Sequence, residues 1–103
     1  MAIVRGSERG YFARHPGPAD MPLVIEVSDS SLASDRAVKG RIYASASIPA
    51  YWVVNLVDHR VEVYSDPGGG IYGTRRDFSA VDAVPLVIDG ADLGPIAARD
   101  LLT

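Results

Sequence analysis

The sequence contains no cysteine, which removes disulfides, thiolate metal sites and cysteine nucleophiles together and agrees with a reducing compartment. Histidine is scarce: only His15 and His59 occur, too few for a histidine-built metal centre. No apolar run approaches the roughly 20 residues that cross a bilayer. The opening MAIVRGSERGYF also lacks the apolar core of a secretory leader. We expect a soluble, cytoplasmic protein. A basic excess is missing too, since ten Lys plus Arg stand against thirteen Asp plus Glu, a formal net charge of -3. Strong standalone nucleic-acid binding by phosphate neutralisation is therefore not indicated. A local pair such as Arg75-Arg76 does not register in that total.

What remains is 103 residues, 48% of them hydrophobic, the composition of one globular domain spanning 1–103. A chain this short buries a modest core. A homodimer is the expected way to cover more of it.

Along the chain, Ala2 to Arg5 reads as a strand fragment, and GSERGYFARHPGPAD as an irregular excursion rich in Gly, Pro and charge. PLVIEVS is a short β-branched run with the length of a strand buried on both faces. Asp29 to Ser31 supply helix-start oxygens. Leu32, Val38, Ile42 and Ala46 then recur at roughly helical spacing as the apolar stripe of a helix ended by Pro49. AYWVVNLV is a second apolar strand, in which Tyr51 and Trp52 fill core. Asp58-His59 turns the chain into RVEVYS, whose alternation suits a half-exposed hairpin strand. Pro67 and the glycines at 68–70 make another turn, into IYGTRRDFS on a more exposed edge. VPLVI is a last strand, and PIAARDLL a closing helix with Pro95 in its first turn. The order is that of a mixed α/β (α+β) domain with a central sheet.

Glu26 is the most informative position, because it interrupts the apolar strand Leu23-Val24-Ile25 before Val27. A carboxylate in such a place is normally paired or bound to metal. One reading makes it a glutamate satisfied by a nearby Arg or backbone N–H, the other a ligand. Lys39 shares a helix face with Asp35 and Tyr43 at intervals of four. On spacing alone it is a solvated helix lysine, half of a surface pair with Asp35. Ser28, Ser30, Ser31 and Ser34 fit capping better than nucleophilic catalysis. The glycines at 68–70 lack the Lys-Ser/Thr of a phosphate loop.

Taken together, PLVIEVSDSSLASDRAVKGRIYASASIPAYWVVN resembles the Uma-type bacterial endonuclease family of the PD-(D/E)XK (restriction endonuclease-like) superfamily. The elements that carry the resemblance are Glu26-Val27 with Ser30 or Ser31 nearby, Asp35-Arg36 with Lys39, Tyr43, and Tyr51-Trp52-Val53-Val54. It extends through RVEVYSDP to the closing ARDLL. It implies a restriction endonuclease-like core that hydrolyses nucleic-acid phosphodiester bonds, DNA foremost, with Mg²⁺ or Mn²⁺. Carried over, Glu26 and the Val27 carbonyl are metal ligands, and Lys39 is the catalytic lysine moved from strand to helix. Ser28 stands where that lysine usually falls.

The family's first metal-binding Asp, in a Pro-Asp pair before an apolar segment like Ala2-Ile3-Val4, has no counterpart here. Asp20 is a weaker candidate ligand, in the loop entering the strand. On the resemblance the chain is expected to be N-terminally truncated, and weakly active or inactive. The alternative is a non-enzymatic dimerisation or binding module on the same scaffold. A third outcome is that Glu26 and Lys39 merely pair as a salt bridge.

Overall fold

A computed structural model describes residues 2–3, 22–29, 33, 35–88 and 90–102. The strands are β1 (Ala2–Ile3), β2 (Leu23–Ser28), β3 (Ala50–Asn55), β4 (Arg60–Gly68), β5 (Ile71–Ser79), β6 (Ala83–Ile88) and β7 (Ala91–Ala97). Between β2 and β3 a π-helical turn, Asp35–Lys39, runs into the helix α1 (Gly40–Ser45), and α2 (Ala98–Leu101) follows β7.

One sheet has the order β1-β2-β3-β4-β5, and a second consists of β6 and β7. β2 and β3 run parallel, with Glu26 opposite Val53. They must, because a helix returns the chain from the top of one to the foot of the other. The other pairings are antiparallel. This is the mixed α+β core expected from the sequence, compatible with a restriction endonuclease-like fold.

Period two sorts the strand residues onto two faces. Leu23, Ile25, Trp52, Val54, Val61 and Phe78 point one way and pack under Val84, Ala98 and Leu102 of the second sheet and α2. Val24, Tyr51 and Val53 point the other way and pack with Ile48, under a partly buried cover that includes Tyr43 and Tyr72. The central sheet therefore lies between α1 and a β6–β7 layer. Tyr51 and Trp52 are core residues, as expected, at 0% and 2% exposure.

Four local readings change. Val38 and Ile42, taken as the buried stripe of the helix, are exposed, while Gly40 and Ala44 are buried. Small residues let the α1 backbone approach the sheet closely, which turns the aliphatic pair outward. The strand holding Glu26 is buried on both faces only over Leu23, Val24 and Ile25, because Val27 is 62% exposed. β1 covers only Leu23 and Val24, so among the described residues the far half of β2 has a neighbour on one side only. RVEVYS is not half exposed, since Val61 and Glu62 are both sealed within the sheet. Pro95 sits in β7 opposite Pro85 rather than in a first helical turn. Leu32 and the capping serines Ser30 and Ser31 lie outside the described residues.

The β4–β5 turn has positive φ at both Gly69 (63°) and Gly70 (81°), the twist that a two-residue hairpin needs. At Gly70 a Cβ would also stand 3.3 Å from Ser45 Oγ at the end of α1. Gly70→Ala is expected to cost about 1 kcal/mol, from the left-handed backbone. Urea unfolding followed by circular dichroism checks this; an unchanged midpoint would show that the turn relaxes freely.

Candidate functional site

The helix-side face of the sheet carries a row of residues that register aligns: Glu26 on β2, Val53 on β3 and Glu62 on β4. The two carboxylates stand two strand spacings apart, roughly 10 Å. Above them lies the helical segment that delivers Arg36, Lys39 and Tyr43. Two of these reach one carboxylate, and the third reaches the other.

Glu62 is 0% exposed. Arg36 grips it through both Nε and Nη2, the Nε contact at 2.8 Å. Asn55 Nδ2 donates to it at 2.8 Å and Tyr64 Oη at 2.6 Å. Arg75 Nη2 and Arg60 Nε each lie 3.6 Å from its Oε2. Burial is the largest single influence and pushes the carboxyl up. The bonds from Arg36, Tyr64 and Asn55, with the Arg75 charge, outweigh it and hold Glu62 at about 2. The same contact raises Arg36 well above its ordinary value. Burial first, and Glu62 second, lift the Tyr64 hydroxyl to about 12. A carboxylate so fully engaged has no lone pair left for a ligand. Its work is structural: it ties the helical segment to β4.

Glu26 differs. Its side chain is 24% exposed, with Lys39 Nζ 3.7 Å from Oε2 and Lys39 itself 41% exposed. Tyr43 Oη donates to Glu26 Oε1 at 2.8 Å. The helical segment thus brings Lys39 to Glu26 as a partly exposed ion pair. Lys39 is paired across to the sheet; the Asp35 side chain, its other candidate partner, lies outside the described residues. The Val27 carbonyl follows Glu26 on the half of β2 that β1 leaves uncovered. Asp20 lies outside the described residues. So does His15, and His59 occupies the β3–β4 turn with φ of 57°. Among the described residues no three His, Cys, Asp or Glu side chains gather as a metal site.

Sequence reasoning missed Glu62, Asn55 and the role of Arg36. One signal was available. Val61-Glu62-Val63 repeats the pattern of Ile25-Glu26-Val27, a carboxylate between β-branched residues. Which of the two is sealed depends on register and on strand order, because β4 is central and β2 is nearly an edge.

Since Glu62 titrates lower in the folded chain than in the unfolded one, it adds stability above pH 4.5 that is lost as pH falls from 4.5 toward 2. The drop corresponds to roughly 3 kcal/mol. Glu62→Gln should be less stable than the parent at pH 7, with the gap closing on acidification; urea midpoints across pH 7 to 2.5 measure it, and a constant gap would contradict the assignment.

Comparison with known proteins gives one match. The family described as "Uma2: Putative restriction endonuclease" aligns with residues 1–93. No curated protein and no solved structure matches the chain. Restriction endonuclease-like proteins generally act on nucleic acid and use divalent metals. Among the described residues no helix is long and apolar enough to cross a membrane. With nearly all of its length matched, and with the mixed sheet and intervening helix described above, the chain belongs to the Uma2 family of restriction endonuclease-like proteins.

Proposed function

We propose that the chain is a divalent-metal-dependent phosphodiester-cleaving domain whose working carboxylate is Glu26, with Lys39 beside it as the catalytic cation. The observation that carries this reading is the contrast between two buried-strand glutamates. Glu62 is closed off by five side chains, whereas Glu26 is partly open and faced by an ammonium group.

One carboxylate with the neighbouring Val27 carbonyl suits a Mg²⁺ ion that keeps most of its water, and not a caged ion. When bound there, the ion would lower the pKa of water and screen phosphate charge. The chain's own groups have separable tasks. Tyr43 holds Glu26 Oε1 and fixes the carboxylate plane. Lys39 neutralises Glu26 in the free protein and, being 41% exposed, can turn its ammonium toward phosphate oxygens. Arg36, bound to Glu62, positions the turn on which Lys39 stands.

A second reading, a non-enzymatic dimerisation or binding module, is favoured by two observations. Glu26 is already satisfied by Lys39 and Tyr43, and the helix exposes Val38 (55%) and Ile42 (57%) as a surface a second copy could cover.

Calorimetric titration with Mn²⁺ separates them. The nuclease reading expects saturable binding that Glu26→Gln abolishes. Lys39→Ala removes the competing ammonium, so metal binding should persist or tighten while Mn²⁺-dependent plasmid nicking falls about a hundredfold. Binding that survives Glu26→Gln, or no binding at all, rejects Glu26 as the metal carboxylate.

A further inference from the structure

On the flank of α1 away from Glu26, a cleft of about 280 Å³ opens against the β4–β5 hairpin, lined by Arg36, Arg41, Tyr64, Gly70, Ile71 and Tyr72 among others. Its walls are fixed. Tyr72 Oη donates to the Ile48 carbonyl at 2.8 Å, and Tyr64 Oη to Glu62 at 2.6 Å. Arg75 lies over the Tyr64 ring with its guanidinium carbon 5.7 Å from the centroid.

Two charged residues, Arg36 and Arg41, are among those lining this cleft. Asp58, Glu62 and Asp77 are met by Arg36, Arg60 and Arg75. Arg41 is left over. It is exposed, and it makes no hydrogen bond or ion pair with another described residue. In a chain of net charge -3, an uncompensated guanidinium at the rim of a concave, tyrosine-walled cleft is a place for an oxyanion. Arginine is also the side chain best shaped to grip one by two parallel N–H donors.

We propose that this cleft is a phosphate subsite in which Arg41 contacts the backbone of a nucleic-acid strand, away from the bond held at Glu26. The proposal rests on the nuclease reading and extends it to substrate placement. A strand crossing α1, roughly 10 Å wide, carries one phosphate per about 3.4 Å of duplex axis. The tyrosine walls admit a sugar or base edge without reading sequence, and the cleft positions the strand instead of selecting it.

The test uses the full chain and short fluorescein-labelled oligonucleotides, DNA and RNA, single-stranded and duplex, by fluorescence anisotropy over a salt series. Arg41→Glu should weaken binding about tenfold and reduce the salt slope by about 1. Arg41→Lys should recover part of the affinity. Arg99→Ala, exposed on α2, should bind like the parent, and Arg41→Glu should keep the Mn²⁺ titration unchanged. Unaltered affinity and slope in Arg41→Glu, or no binding of any of the four probes by the parent, overturns the subsite. Neither outcome touches the metal titration at Glu26, which decides the nuclease reading separately.

Discussion

The pairing of Arg36 with Glu62 is the constraint on which the rest of this architecture depends. An ionised carboxylate at 0% exposure is tolerated in a sheet only when its charge and lone pairs are met in place. Here they are met by a guanidinium from the crossover, an amide from β3 and a phenol from its own strand. The arrangement links three consecutive parts of the chain and sets where the helical segment sits over the sheet. Lys39, on the same π-helical turn, is carried to Glu26 by that placement. A buried polar network specifies geometry more than it adds stability, and the geometry it specifies is that of the open carboxylate.

The two glutamates form a physical contrast within one row of the sheet. Strand order decides their fates. β4 is paired on both sides from Arg60 to Ser65, so Glu62 is enclosed and must be matched by other groups. On β2 the Glu26 side chain is 24% exposed and keeps a path to water. Water access is what lets a carboxylate exchange its partners, and exchange is what a site requires. The fold therefore commits one acid to rigidity and leaves the other partly open to solvent.

Much of this was legible in the sequence. Glu26 was conspicuous because a single charge broke an apolar run, and the turns were marked by Asp58-His59 and the glycines at 68–70. Lys39 reached attention through resemblance and not through spacing, since i,i+4 arithmetic pointed to Asp35. What stayed hidden depended on packing distance. Val38 and Ile42 have helical periodicity and suggested a core face, but Gly40 and Ala44 won it because only small residues allow the helix so near. Glu62 was hidden by the ordinary look of an alternating strand. Alternation states which residues share a face and is silent on whether a helix covers it.

The difference in enclosure has a consequence for how the chain tolerates change. Glu62 is sealed at 0% exposure and held by Arg36, so replacing Arg36 leaves a buried carboxylate without its principal partner. Glu26 and Lys39, bathed on one side by solvent, can each be replaced with little damage to the scaffold. Drift would therefore erase the open pair long before it erased the sealed one, leaving a sound framework behind.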